Sequence, residues 1–167
     1  MQPCGSIFPL EQPCQRTSIS AQIEKLMHDA VEEGCRVIRG RRRHEKGGLF
    51  YQPTLVEVQS TDSILFREEI FGPVAAFYKF ATEEEALRIA NSSDKGLTGY
   101  VYTRDLAQIW RVSRGLEVGM VGVNEPIVSR CETAFGGVKE SGFGVEGSRH
   151  GLQEYTYLKL LCLGHMA

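Results

Sequence analysis

The sequence lacks the cysteine and histidine patterns that are typical of disulfide-stabilised and zinc-binding proteins. Its five cysteines are scattered, their number is odd, and no C-x-x-C occurs. The four histidines form no ligand cluster along the chain. Neither a disulfide framework nor a metal site is therefore predicted. We expect free thiols in a reducing compartment. We also expect Cys35, Cys131 and Cys162 to pack in the interior as small hydrophobic residues.

Long apolar runs and strong net charge are also missing. No run approaches the roughly 18 apolar residues of a membrane span, and residues 1–16 lack the basic head and apolar core of a signal peptide. The net charge of −2 gives no field that would attract nucleic acid or an anionic membrane. We expect an intracellular protein, cytoplasmic or mitochondrial, with residues 1–16 poorly ordered. The basic run 39–46 is interpreted as a solvated connection.

Helical and extended patterns alternate along a chain of globular composition. Apolar spacing predicts helices over 20–34, 81–93 and 105–116, with the N-caps Ser20, Thr82 and Asp105. Strands are predicted over 35–40, 49–58, 74–80, 97–103, 118–124 and 153–164. This alternation predicts an α/β fold with a mostly parallel sheet covered by helices. Ligands gather at the carboxyl ends of such strands, where Asn124 and the residues after it lie.

The segment 125–148 is long, rich in glycine and serine, and without periodicity, which is typical of functional or disordered loops. It contains "GFGVEG" (142–147), which has the letters of the dinucleotide-binding fingerprint. That fingerprint follows a strand, opens a helix and has an acid about 20 residues further on. Here "GGVKES" precedes it, and no second strand with such an acid follows. We therefore interpret it as a tight turn that needs glycine for positive φ.

Three separated motifs occur in one order: "EEIFGPV" (68–74), "VGVN" (121–124) and "FGGVKESGFGVEGSRHGLQEY" (135–155). In this order and spacing they resemble the C-terminal part of the aldehyde dehydrogenase superfamily. Residues 107–125 and the ending "GVEGSRHGLQEY" are most similar to the succinate-semialdehyde dehydrogenases. The resemblance implies a partial catalytic domain over 17–152, followed over 153–167 by an oligomerisation strand and a tail.

The resemblance also implies roles for individual residues and a cofactor, NAD or NADP. Glu69 would bind the hydroxyls of the nicotinamide ribose, because a carboxylate accepts two hydrogen bonds from a diol. Phe71 would pack near the nicotinamide ring, while Glu68 is interpreted as a solvated acid. Ser129 would help to hold the distal carboxylate of an aldehyde substrate of the semialdehyde class. Arg130 could pair with an anion by its chemistry, but a surface arginine is the favoured interpretation.

Two substitutions depart from the family's pattern, and the catalytic groups lie outside the match. Ala134 replaces the usual proline and Val145 the usual arginine, in a loop that supports the aldehyde tunnel in the family. The nucleophilic cysteine, the general-base glutamate and the oxyanion-stabilising asparagine of the family all precede the matched part. Cys4 and Cys14 stand too close to the helix 20–34 and lack the "G-Q-x-C" context. We therefore assign no catalytic residue.

The expected function is that of a C-terminal fragment of an NAD(P)-dependent aldehyde dehydrogenase, which converts an aldehyde to a carboxylic acid. We expect these residues to be inactive alone, and to bind the cofactor poorly, without the nucleophile and the nucleotide-binding domain. Two alternatives stay open. The first is an interaction module that joins full-length subunits, or a second copy, through the strand 153–164. The second is a non-functional product of a truncated gene or transcript.

Overall fold

The computed structural model describes residues 17–164, so the expected poor order of 1–16 lies outside the described residues. The fold is α/β, as predicted. Two compact units divide the chain, the first ending at Ala81 and the second beginning at Thr82. No helix among the described residues is long and apolar enough to cross a membrane.

The first unit is a three-stranded sheet with two helices. Its elements are α1 (Thr17–Glu32), β1 (Arg36–Arg39), β2 (Thr54–Val58), α2 (Ile64–Arg67) and β3 (Val74–Tyr78). Strand β2 is central, antiparallel to β1 and parallel to β3. The apolar face of α1 is buried with strand β2 in one cluster, which includes Ile23, Met27, Ala30, Val56 and Val58. The helical period predicted this face correctly.

A carboxylate on β2 joins all three strands of this sheet. The Glu57 side chain is only 8% exposed and lies between Arg36 of β1 and Lys79, which follows β3. Arg36 Nε donates to Glu57 Oε2 at 2.7 Å, and the Lys79 ammonium contacts Oε1. The hydrogen bonds from Lys79 and then Arg36 lower the pKa of Glu57 below its ordinary value. The charged carboxylate is thereby compensated from both neighbouring strands.

The second unit contains two short two-stranded sheets. Its elements are α3 (Glu83–Asn91), β4 (Lys95–Gly96), β5 (Thr98–Val101), α4 (Leu106–Gly115), β6 (Met120–Val123), β7 (Val138–Lys139) and the 3-10 helix Gly151–Tyr155. Strands β5 and β6 are parallel, whereas β4 and β7 are antiparallel. The parallel pairs of the chain, β2–β3 and β5–β6, are each connected through a helix, as a parallel crossover requires.

Two of the three predicted N-caps are confirmed. The Thr82 hydroxyl accepts the Glu85 N–H at 3.1 Å, and Asp105 Oδ1 accepts the N–H groups of Ala107 and Gln108. Ser20 is not a cap, because α1 begins at Thr17 and Ser20 lies buried within it. The helix begins three residues, about one turn, before the predicted start at residue 20.

The predicted strand over 153–164 is not formed. Its first residues belong to the 3-10 helix Gly151–Tyr155, and residues 156–164 have no regular secondary structure. Leu158 and Leu160 are 104% and 92% exposed. A strand needs a neighbour to complete its backbone hydrogen bonds, and no described strand of this chain pairs with these residues. The apolar pattern alone was therefore insufficient, and the oligomerisation role of 153–167 stays a prediction.

Candidate functional site

Glu69 and Phe71 line one groove of the first unit, with a volume of about 530 Å³. One wall is helix α1, with the side chains of Gln22, Ile23, Lys25, Leu26 and Asp29. The other wall contains Ile64 of α2 and three residues of the segment that follows it, Glu68, Glu69 and Phe71. The structure thus brings the two predicted cofactor-binding residues together.

The short helix α2 is fixed at both ends, and this sets the position of the groove. Ser63 caps it by accepting the Leu65 N–H at 3.3 Å. Glu33, just after α1, accepts the Ile64 N–H at 2.6 Å and a guanidinium N–H of Arg67 at 3.0 Å. These bonds, the Ile64 N–H first, lower the pKa of Glu33. They also hold α2 against the end of α1.

The chain leaves α2 in an extended conformation and passes close to α1 at Gly72. A Cβ at Gly72 would overlap the side chain of Ile23. One residue later, the Thr54 N–H donates to the Pro73 carbonyl at 2.8 Å and begins the pairing of β2 with β3. The glycine and this hydrogen bond therefore fix the segment that carries Glu69 and Phe71.

The side chains in the groove suit a diol beside a flat ring. Phe71 is 71% exposed, and the carboxylate of Glu69 has no hydrogen-bond or ion-pair partner among the described residues. An unpartnered carboxylate can accept two hydroxyl groups, and the exposed ring offers a stacking face. Glu68 is exposed in the same groove, so its geometry does not distinguish the two acids.

Ser129 belongs to the second unit and lies on the loop after β6. A pocket of about 380 Å³ lies between this loop and β6, and its lining includes Glu125, Arg130 and Thr133 but not Ser129. Arg130 forms an ion pair with Glu125 at 3.1 Å and is half exposed, which agrees with the surface interpretation. Ser129 is exposed too, and its hydroxyl has no hydrogen-bond partner within 17–164.

Asn124, at the carboxyl end of β6, is a structural residue in this geometry. Its Oδ1 accepts the Thr103 N–H at 3.0 Å, and its Nδ2 donates to the Thr103 carbonyl at 2.9 Å. Both ends of the side-chain amide are thus used to join the ends of β5 and β6. Asn124 itself adopts a φ of 53°, in the left-handed region, so the chain turns sharply into the loop that carries Ser129.

The glycine-rich stretch 142–147 is an irregular loop rather than a helix start, and its glycines adopt positive φ, as predicted. Gly142, Gly144 and Gly147 have φ values of 109°, 90° and 66°. Phe135 and Glu146 exchange two backbone hydrogen bonds at 2.8 and 2.7 Å and close the loop. No helix starts directly after the glycines, so the feature that cradles a phosphate in dinucleotide-binding folds is missing from this stretch.

The prediction of buried cysteines is correct only for Cys35, whose Sγ lies 3.3 Å from the Ser63 hydroxyl. Cys131 and Cys162 are exposed, because the first lies on a surface loop and the second in the unpaired segment 156–164. Cys131 donates to the carboxylate of Glu132 at 3.1 Å, which raises the pKa of its thiol. Cys131 is therefore a poor nucleophile at neutral pH.

One group that the sequence reasoning missed is on α1. His28, Asp29 and Glu32 place nitrogen and oxygen atoms within 4.8 Å of one another. The spacing H-D-x-x-E could have signalled it, because positions i and i+4 meet on one helical face. Acidic groups of this kind are common at protein surfaces without a bound ion, and we assign no metal to them.

Comparison with known proteins gives consistent matches. Residues 13–161 match the sequence model of the aldehyde dehydrogenase family. The mitochondrial succinate-semialdehyde dehydrogenase of Rattus norvegicus is 52% identical over 143 residues, which are 86% of this chain and 27% of that protein. The enzyme of the same name from Oryza sativa subsp. japonica is 48% identical over 145 residues, 87% of this chain and 28% of that protein.

Solved structures agree with these matches. Succinate-semialdehyde dehydrogenase from Burkholderia pseudomallei superposes with a TM-score of 0.81 at 40% identity, over 86% of this chain and 30% of that one. Betaine aldehyde dehydrogenase from Staphylococcus aureus, crystallised in complex with NAD+, gives a TM-score of 0.81 at 36% identity, over 86% of this chain and 29% of that one. The chain thus spans little more than a quarter of the length of the curated relatives described above.

Proposed function

The chain belongs to the aldehyde dehydrogenase family, and on that premise we propose that it is the C-terminal part of a catalytic domain. The proposed enzyme is NAD(P)-dependent and oxidises a semialdehyde to a carboxylic acid. The identity of 52% to a succinate-semialdehyde dehydrogenase supports the substrate class. The observation that carries the proposal is the groove shared by Glu69 and Phe71. The mitochondrial names of the relatives support an intracellular location.

In this proposal the groove binds the nicotinamide half of the cofactor. Glu69 accepts hydrogen bonds from the two ribose hydroxyls, and Phe71 covers one face of the ring. Their orientation depends on α2 and on the close approach of Gly72 to Ile23, which fix the segment between α2 and β3. The cofactor supplies the hydride acceptor for the oxidation. NAD+ in the staphylococcal relative's structure supports this cofactor class.

Ser129 is the proposed contact for the distal carboxylate of the substrate. Its exposed hydroxyl can donate one hydrogen bond to a carboxylate oxygen. The nucleophile and the general base are proposed to lie outside the 167 residues, because no "G-Q-x-C" occurs among them. We accordingly expect the 167-residue polypeptide to be inactive when it is assayed alone.

The matched pair Glu69→Gln and Glu68→Gln tests the cofactor groove. Nicotinamide riboside is the probe, because it contains the ribose and ring without the adenosine half. Its dissociation constant is measured by NMR titration of the 167-residue chain. Glu69→Gln should weaken binding about tenfold, since charge-assisted hydrogen bonds are lost, while Glu68→Gln should weaken binding less than Glu69→Gln does. Equal effects of the two substitutions, or no binding by the wild type, would reject this groove as the nicotinamide site.

A second candidate function is docking onto full-length aldehyde dehydrogenase subunits. It is favoured by residues 156–164, where the leucine side chains are exposed and no described strand satisfies the backbone groups. Such a segment is suited to adding a strand to another sheet. Co-expression with the rat enzyme followed by size exclusion tests this. Comigration that Leu158→Asp abolishes would support it, and separate elution of the wild-type chain would exclude it.

A further inference from the structure

Glu125 holds the loop of Ser129 from one side. Its Oε1 accepts the Ile127 N–H at 3.1 Å, and its Oε2 accepts a guanidinium N–H of Arg130 at 3.1 Å. One carboxylate therefore binds a residue before Ser129 and a residue after it. This closes the five positions from 126 to 130 into a bridged loop.

Thr133 holds the same loop from the other side. Its hydroxyl lies 3.0 Å from the Val128 carbonyl and 2.9 Å from the Arg130 carbonyl, and donates its proton to this pair. The Thr133 N–H also donates to the Arg130 carbonyl at 3.2 Å. One side chain thus holds the carbonyl groups of the residue before Ser129 and of the residue after it.

The far end of the loop is anchored to the glycine-rich turn. The Ser148 N–H donates to the Cys131 carbonyl at 2.9 Å. A Cβ at Gly147 would lie 2.8 Å from the Thr133 carbonyl, so the glycine allows the two backbones to approach. In contrast to these tied groups, the hydroxyl of Ser129 has no hydrogen-bond partner within the described part of the chain.

We propose that Glu125 and Thr133 are positioning residues that preorganise Ser129 for a ligand carboxylate. The inference rests on the proposed function, which assigns the carboxylate to Ser129. A donor that is already held in place binds more tightly, because the entropy of ordering the loop is not lost on binding. In this proposal both residues act through the loop and not through a contact with the ligand. Thr133 acts through the carbonyl groups of Val128 and Arg130. Glu125 acts through the Ile127 N–H and the Arg130 guanidinium.

Butyrate and butan-1-ol form a matched pair of probes. They have the same number of carbon atoms, but only butyrate carries a carboxylate. Each is titrated into the isotope-labelled 167-residue chain, and the amide signal of Ser129 is followed by NMR. Butyrate should shift this signal, and butan-1-ol should not. Thr133→Val keeps the side-chain shape without the hydroxyl, and Thr133→Ser restores the hydroxyl.

Thr133→Val and Glu125→Gln should each weaken butyrate binding about fivefold, the effect of one lost hydrogen bond. Ser129→Ala should weaken it at least as much, whereas Thr133→Ser should bind like the wild type. Unchanged amide signals in the rest of the spectrum show that each variant is folded. An increased amide mobility at residue 129 in Thr133→Val, with normal mobility in Thr133→Ser, would confirm that the residue acts by positioning.

The proposal is overturned if the wild type shows no butyrate-dependent shift at Ser129, or if Thr133→Val binds butyrate as tightly as the wild type. The nicotinamide riboside titration tests the first unit with a different ligand and different variants. If Glu69→Gln does not weaken nicotinamide riboside binding, the proposed cofactor groove is rejected, but the butyrate result is unaffected. If the variants of Glu125 and Thr133 bind butyrate like the wild type, their positioning roles are rejected, but the cofactor groove is unaffected.

Discussion

Gly72 lies directly against the Cδ1 end of the Ile23 side chain, which must shift if a Cβ is added at Gly72. Ile23 is buried in the core of the first unit, and it also lines the groove with Glu69 and Phe71. This one contact therefore connects the packing of α1 with the position of the residues proposed to bind the cofactor.

Replacement of Gly72 by alanine should destabilise the first unit. The added methyl group must displace Ile23 or the segment before β3, and overpacking of this kind costs about 1–3 kcal/mol. Urea unfolding followed by circular dichroism measures the change. Gly164→Ala is the matched control, since a Cβ there meets nothing within 4 Å. Equal unfolding free energies for Gly72→Ala and the wild type would refute the close contact.

The ion triad of Glu57 with Arg36 and Lys79 should make the first unit less stable at acidic pH. Because Lys79 and Arg36 lower the pKa of Glu57, the charged carboxylate stabilises the fold above the ordinary glutamate pKa of about 4.3. This stabilisation is lost as the pH falls through the lowered value. Glu57→Gln should therefore reduce the change in unfolding free energy between about pH 6 and about pH 3.

The dependence of the unfolding free energy on pH should become weaker in Glu57→Gln without vanishing, because hydrogen bonds also lower the pKa values of Glu24, Glu33, Glu83 and Glu140. Glu68→Gln serves as the control. Its carboxylate is exposed and has no ion-pair partner in the described residues, so this substitution breaks no ion pair of the fold. If the unfolding free energy of Glu57→Gln changes with pH as much as that of the wild type, the ion triad is not formed in solution.

The thiol of Cys131 should react slowly for an exposed cysteine. Its hydrogen bond to Glu132 raises its pKa and lowers the thiolate fraction at neutral pH. Glu132→Gln removes the charge and should accelerate alkylation by iodoacetamide, measured by peptide mass spectrometry. The rate at Cys162, which is also exposed, provides an internal reference that should not change. No acceleration at Cys131 would contradict the Cys131–Glu132 contact.

The spacing of apolar and capping residues predicted the features that depend on residues close together in the sequence. The capping by Thr82 and Asp105 and the apolar face of α1 follow from residues a few positions apart. The strand expected over 153–164 failed for the opposite reason. Its apolar pattern was present, but a strand also depends on a neighbour that the local sequence does not reveal.

The candidate site residues came from the motifs, and the contacts around them came from the tertiary structure. The family resemblance indicated Glu69, Phe71 and Ser129, and the structure places the first two in one groove. The contact of Gly72 with Ile23 joins residues far apart in the sequence, so no local pattern could have shown it. The bonds from Glu125 and Thr133 around Ser129 depend on side-chain directions in an irregular loop, which composition does not determine.

The central claim is most directly tested with a chimera of the rat succinate-semialdehyde dehydrogenase. Its 143-residue matching region is replaced by that of this chain, and NAD+ reduction with succinic semialdehyde is measured. We predict activity in the chimera and none in the 167-residue chain alone. A folded but inactive chimera would contradict the account. So would NAD+ reduction by the 167-residue chain that Cys4→Ala or Cys14→Ala abolishes.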